Sequence, residues 1–211
     1  MQDSPSASLN HFSKILDAHT YPNVHQEFHS GAVIKHYKSG ETIVYQNEAI
    51  DKLGCLTNGD AEIEILSADG EMLIAERFFS GSLLNAVSFI DGQSSPATVV
   101  AVSDCSVAFV SYSKLRSSPA LHTEATQLAG LCAAALYRMA EQLLSTSLLL
   151  PLKDRVLLRL QKLKQNDGEV TITAEKLAAY LAVSKHRVHR VLNELEKENR
   201  IINTYGSVTL L

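Results

Sequence analysis

Residues 172–201 read "ITAEKLAAYLAVSKHRVHRVLNELEKENRI". Lys185, His186, Arg187, His189 and Arg190 put five potentially cationic side chains into six consecutive positions, with Val188 between them. Thr173 is a good N-cap for a helix that buries Leu177, Ala178 and Leu181. Ala182-Val183-Ser184 then reads as a turn, with Ser184 capping the next helix. In that second helix Val188, Val191, Leu192 and Leu195 fall at i, i+3, i+4 and i+7, which makes one inward stripe. His186, Arg190 and Asn193 lie opposite the stripe, and Lys185, Arg187 and His189 flank them.

The flanking sequence completes a unit. Before it stand a helical run, "LKDRVLLRLQKLK" after Pro151, and a turn with a short strand, "NDGEVTIT". After it comes "RIINTYGSVTLL", a hairpin about Tyr205-Gly206. Three helices and a small hairpin outline a winged helix-turn-helix over residues 151–211. A helix so arranged fits the major groove of DNA. Arg187 and Arg190 suit a bidentate contact to a guanine edge, and His186 suits a base acceptor. Lys185, Thr173, Tyr205 and Ser207 suit phosphates, which position a protein without reading sequence. The expected DNA-binding set is Thr173, Ser184, Lys185, His186, Arg187, His189 and Arg190. The plain rival is an amphipathic helix whose basic face is merely solvated.

Charge is segregated along the 211 residues. Residues 1–150 hold 8 Lys/Arg against 16 Asp/Glu, and residues 151–211 hold 11 against 7. A basic region on an acidic body is a statement about partners rather than fold. With 45% hydrophobic and 20% charged residues the composition is that of a folded soluble protein. The opening "MQDSPSASLN" lacks the basic patch and apolar run of a signal peptide, and "SLLLPL" is too short to span a bilayer. Cys55, Cys105 and Cys132 lie far apart with no CxxC, so neither a disulfide framework nor a zinc knuckle is indicated. A cytoplasmic protein without catalytic residues is expected.

From about Phe28 to Tyr112 short β-branched or alternating runs ("AVIKHYKSG", "ETIVYQ", "AEIEIL", "MLIAERFF", "ATVVAVS", "SVAFVS") are separated by turn residues. Asp69-Gly70 is a strong hairpin signal. This spacing predicts a sandwich or barrel over residues 1–118. Residues 119–150 change to helix, with Ala125, Leu128, Cys132, Ala135, Met139 and Leu143 at alternating spacings of three and four. That stripe is expected to be a dimer seam, the alternative being a helix packed on its own domain. The fold class expected is α+β: an antiparallel β-roll, a long dimerisation helix and a winged helix-turn-helix.

At this point the chain resembles the CRP/FNR family of bacterial transcription regulators. The residues that carry the likeness are "YKSGETIVYQNEAIDKLGCLTNGDAEIEI" at 37–65 and the stretch at 172–201. The resemblance implies a cyclic-nucleotide-binding-like jelly roll and a homodimer on palindromic operators. It implies double-stranded DNA and RNA polymerase as partners. The family's recognition positions usually carry an Arg-Glu pair and a later Arg. Here they are Lys185, His186 and Arg190, so the resemblance implies an altered half-site. Ala182 stands where the family usually has Gly.

In nucleotide-binding members a Gly-Glu pair holds the ribose and an Arg with Ser or Thr holds the phosphate. The matching stretch here is "GSLLNAVSFIDGQSSPATVV" at 81–100. Asn85-Ala86 replaces the first pair and Ser95-Pro96 the second. The effector pocket is therefore expected at Leu84, Asn85, Ala86, Val87, Ser95 and Pro96, without a cyclic nucleotide in the usual pose. No cysteine precedes Cys55, so no iron–sulfur cluster is expected. His11, His19, His25, His29 and His36 crowd the first region, but "HQEFH" at 25–29 has its Glu on the wrong face for a metalloprotease helix. No metal is expected. Two further alternatives are a cupin-like small-molecule or metal-binding barrel, and a regulatory module that binds a protein partner instead of DNA.

Overall fold

The computed structural model describes residues 16–69, 71–164 and 168–211. The chain divides into two compact units: Met1–Leu66 with Glu76–Met139, and Ser67–Ala75 with Ala140–Leu211. Among the described residues, no helix is long and apolar enough to cross a membrane.

The first unit opens with α1 (Pro22–Gln26), which runs into a π-helical turn, Glu27–Gly31. The strands that follow are β1 (Val33–Tyr37), β2 (Thr42–Val44), β3 (Lys52–Asn58), β4 (Ala61–Leu66), β5 (Met72–Phe78) and β6 (Leu83–Leu84). Then come α2 (Ala86–Asp91), β7 (Thr98–Ala101), β8 (Cys105–Ser111), α3 (Tyr112–Leu115) and α4 (Pro119–Leu149), the start of β5 through Ala75 and the end of α4 from Ala140 belonging to the second unit. They build two four-stranded sheets, ordered β1-β8-β3-β6 and β2-β7-β4-β5. The pairings β1–β8, β3–β8, β2–β7 and β4–β7 are antiparallel. A turn joins β4 to β5, where the Ser67 N–H donates to the Glu71 carbonyl at 2.9 Å; Gly70 of the expected hairpin lies outside the described residues.

Burial explains why β8 reads as a continuous apolar run. Cys105, Val107 and Phe109 enter the core between the sheets, with Val44, Leu56 and Val99. Ala108 and Val110 point the other way, into a second core shared with Val24, Phe28, Phe89 and Leu115. A strand buried on both faces needs apolar residues at every position. Strand β3 escapes the alternation rule for the same reason and carries a glycine besides. A Cβ on Gly54 would sit 2.9 Å from the Phe109 ring, which lies across it.

The dimer seam expected from sequence is corrected here. Leu128 and Ala125 are fully buried and Cys132 is 1% exposed, all in the core on the outer face of the β1-β8-β3-β6 sheet. Ala135 packs against the same core, Met139 is buried and Leu143 is half-buried. The stripe turns inward because that sheet face is apolar and must be covered. The packed-helix alternative is the correct one for Ala125, Leu128, Cys132 and Ala135. Exposed instead are Leu131, Ala134, Tyr137, Leu144 and Leu148.

In the second unit α5 (Leu152–Leu163), β9 (Glu169–Thr171), α6 (Ala174–Leu181), α7 (Lys185–Lys197), β10 (Ile201–Thr204) and β11 (Ser207–Leu210) follow in order. The three strands form an antiparallel sheet, β10-β11-β9. Leu157, Leu160, Leu177, Tyr180, Val188, Leu192, Leu195 and Val208 fill its core. Ile74, from the segment Ser67–Ala75 of this unit, is part of that core and 2% exposed.

Candidate nucleic-acid interface

Helix α6 begins as expected. The Thr173 hydroxyl accepts a hydrogen bond from the Lys176 N–H at 3.1 Å, and its own O–H remains available to donate. At its end the Arg155 guanidinium donates to the Leu181 carbonyl at 2.5 Å. Sequence reasoning missed Arg155, since nothing in the chain signals that α5 will lie beside the end of α6. Burial, with the neighbouring Arg187 charge, lowers the Arg155 pKa from its ordinary value. The Arg159 guanidinium lies over the Tyr180 ring, 4.6 Å from its centre, so the scaffold under the helix pair is held by arginine as well as by apolar packing.

The turn bends through Ala182, whose φ of 49° and ψ of 50° are left-handed. An alanine there carries a Cβ that a glycine would not, at a cost of about 1–2 kcal/mol. Ala182→Gly is therefore expected to raise unfolding stability by about 1 kcal/mol, after the entropic cost of glycine. A urea titration checks it: the midpoint moves up while the slope stays fixed.

Ser184 occupies the N-cap of α7 with extended backbone, but its hydroxyl makes no capping bond. That corrects the expected cap. The Ser184 carbonyl instead accepts from the Arg187 and Val188 N–H groups at 3.0 and 3.3 Å. From here α7 turns as the spacing requires. Val188, Val191, Leu192 and Leu195 are buried, while Lys185, His186, Arg187, His189, Arg190 and Asn193 are exposed.

The charges on α7 run against the helix dipole. Its first turn holds no acidic residue, and Glu194, Glu196 and Glu198 crowd its other end. Cations are disfavoured at a helix N-terminus and carboxylates at the C-terminus, by about 0.3–1 kcal/mol each. A solvated face shaped by helix stability would carry the opposite pattern. Lys197 in the last turn and Lys153, which pairs with Glu198 and with Glu194 at 3.4 Å, offset part of the strain at the far end. Near the start, among the described residues, only Lys185 has a carboxylate close by, Glu175 at 3.7 Å, and both are largely exposed. The basic half of α7 is not arranged to stabilise its own helix.

The hairpin supplies a second exposed element. Tyr205 is fully solvent-exposed beside Gly206, whose φ is 83°. The Ser207 hydroxyl is already engaged by Thr204 at 2.8 Å.

In the first unit, the residues proposed from sequence for an effector pocket come together. Leu84, Asn85, Ala86, Val87, Ser95 and Pro96 all line one cavity, joined by Ile63, Phe78, Leu83, Val99 and Leu136 among others. Its volume is about 70 Å³ and none of its lining residues is charged. Its polar groups serve the fold: the Asn85 amide donates to the Lys52 carbonyl at 3.0 Å, and the Ser95 hydroxyl to the Ala97 carbonyl at 2.7 Å. Asn85 itself is left-handed, φ 67°, with its carbonyl accepting from the Tyr112 hydroxyl at 2.8 Å.

The histidines do not gather. The His25 and His29 rings stack at 6.2 Å, and His36 Nδ1 lies 2.9 Å from the Ser106 hydroxyl. His11 lies outside the described residues. Among the described residues no three His, Cys, Asp or Glu side chains are grouped to hold a metal. All three cysteines are buried, and burial pushes the Cys55 and Cys132 thiols up to about 11 and about 12.

Comparison with known proteins agrees with this architecture. Residues 34–118 match the cyclic nucleotide-binding domain. The cAMP-activated global transcriptional regulator CRP of Escherichia coli O157:H7 is 24% identical over 193 residues, 87% of this chain and 91% of that protein. The CRP of Pasteurella multocida (strain Pm70) is 25% identical over 194 residues, covering 87% and 92%. Among solved structures, the c-di-GMP-responsive global regulator CLP of Xanthomonas campestris superposes with a TM-score of 0.80 at 18% identity, covering 92% of this chain and 99% of that one. A CRP/FNR-family transcriptional regulator of Thermus thermophilus gives 0.69 at 22%, covering 85% and 93%. With a β-roll, a long helix and a winged helix-turn-helix in that order, the chain has the fold of the CRP/FNR transcription regulators, is similar to them over most of its length, and matches a cyclic nucleotide-binding domain at residues 34–118.

Proposed function

We propose that this chain is a transcription regulator of the CRP/FNR type that binds palindromic duplex DNA as a homodimer, inserting the N-terminal half of α7 into the major groove. The observation that carries the reading is the exposed cationic run Lys185–Arg190, set against its own helix dipole on a fully packed scaffold. Arg187 and Arg190 are the base readers, with His186 beside them. The Thr173 O–H and Tyr205 serve phosphates. Two-fold symmetry would then place half-sites about one helical turn apart.

The second copy docks on the outer face of α4. Gly130, Ala134, Tyr137, Leu144 and Leu148 repeat at spacings of four, three, seven and four, and all are exposed. Tyr137, Leu144 and Leu148 are 69%, 61% and 74% exposed, a large apolar stripe for a helix whose other face is already buried. RNA polymerase, the family's other partner, is the expected third component, and the cytoplasm the expected compartment.

The Escherichia coli relative is cAMP-activated. A cyclic nucleotide is not the effector proposed here. The cavity at its place is about 70 Å³, against about 300–1,000 Å³ for ordinary ligand sites, and offers no cation to a buried phosphate. No iron–sulfur cluster or metal is assigned.

The test is selection from random duplex DNA on the purified chain, with and without 1 mM cAMP, a concentration on the order of the weakest ordinary binding constants. One palindrome is expected from both arms. Enrichment only with cAMP would overturn the effector reading. Enrichment of nothing, from a folded dimer, in these arms and in a third with pooled metabolites, would leave the module that binds a protein partner.

A further inference from the structure

A second cavity in the first unit, larger than the one at the nucleotide position, lies away from it. It sits at the end of the β1-β8-β3-β6 sheet, holds about 440 Å³, and is lined in part by Val33, Phe109, Lys35, Lys52 and Lys114, with one carboxylate, Glu27, on its wall. The strand register explains the grouping. Val33 pairs with Phe109, Lys35 with Val107, and Lys52 with Ser111. Side chains of paired residues share a face, so Val33, Lys35, Lys52 and Phe109 all stand on the face that continues into the core between the sheets. At this end the face is left open: Val33 is 63% exposed beside the buried Phe109.

Charge here runs opposite to the body. Residues 1–118 carry 7 Lys/Arg against 14 Asp/Glu, yet three of their five lysines line this one cavity. Two carboxylates answer them loosely. Glu27 Oε1 lies 3.3 Å from Lys114 Nζ, and Asp51 Oδ1 lies 3.7 Å from Lys52 Nζ. Lys35 has no ion-pair partner among the described residues. An apolar floor under three ammonium groups and one carboxylate, which is paired with Lys114, leaves Lys35 and Lys52 to face an anionic head on a molecule with an apolar body. The volume is ordinary for a small-molecule site.

We propose that this cavity is a binding site for an amphipathic carboxylate, its hydrocarbon on Val33 and Phe109 and its carboxylate at Lys35 and Lys52. The site is independent of α7 and of the nucleotide-position cavity, so it stands or falls apart from the DNA reading.

Titration calorimetry of the full chain with octanoate tests it. Saturable binding at one octanoate per chain is expected. Lys35→Gln with Lys52→Gln should weaken it by about tenfold or more, since each lost charge-assisted contact has a large effect. Both lysines are exposed, so the variants should fold, and an unchanged thermal midpoint verifies that. Val33→Glu, which puts a carboxylate into the floor, should abolish binding. 1-Octanol, with the same chain and no charge, should bind about tenfold more weakly than octanoate. Octanoate binding that ignores the lysine variants, or no saturable binding, would overturn the proposal. Binding of hexaglutamate in place of octanoate would also overturn it, marking the face as a docking surface for an acidic protein.

Discussion

Arg190→Ala is expected to weaken binding to the selected palindrome by about 1–3 kcal/mol per half-site, roughly 5- to 150-fold for each. The arginine is exposed on the face of α7 opposite Val188, Val191 and Leu192, so its loss leaves the core untouched. Two signatures separate base reading from general attraction. Specificity at one base pair of each half-site should relax, because a bidentate arginine discriminates guanine from other bases. Affinity for unrelated duplex should fall much less, since phosphate contacts made elsewhere supply it. Lys185→Ala provides the contrast, weakening all sequences about equally and lowering the salt slope by about one. Fluorescence anisotropy at several salt concentrations measures both. Equal affinity of Arg190→Ala and wild type for the palindrome would remove Arg190 from the base-reading set.

The second large effect is expected from Tyr137→Glu with Leu144→Glu. In a two-fold interface each substitution counts twice, and the same patch meets itself. Losing a buried leucine costs about 1.5–3 kcal/mol, and the carboxylates add a desolvation cost. The dimer dissociation constant should therefore rise by about a thousandfold or more. Sedimentation velocity on a dilution series reads it directly. The unfolding midpoint of the monomer should hardly move, because both residues are largely exposed on the single chain. Leu128→Ala is the converse experiment. Leu128 is fully buried against the chain's own sheet, so truncation should cost about 2–5 kcal/mol of folding stability. A variant at Leu128 that dissociated dimers without loss of stability would restore the seam expected from sequence.

The contrast between α4 and α7 shows what periodicity carries. In α7 every apolar residue of the repeat falls on one stripe and every cation off it, so the inward face has one solution. Helix α4 is apolar on two sides. Ala125, Leu128 and Cys132 keep heptad-like spacing, and so do Ala134, Tyr137 and Leu144. Spacing alone assigns neither stripe to a partner. The decision belongs to the outer face of β8 and β3, where Leu53, Cys55, Ala108 and Val110 require a cover.

Two features were legible in the chain from residue type and spacing alone: the winged helix-turn-helix and the inward stripe of α7. These are local properties, set within a few turns. The alanine at 182 where glycine is usual, and the lack of charge at the nucleotide position, were legible only through the family resemblance; the left-handed backbone at Ala182 came from the structure. Packing had to settle which face of α4 is covered, how Arg155 closes α6, and that Ser184 caps without its hydroxyl. It also brought Lys35, Lys52 and Lys114 around one cavity. Those three are separated by 17 and 62 positions in the chain, and only strand register and packing make them neighbours.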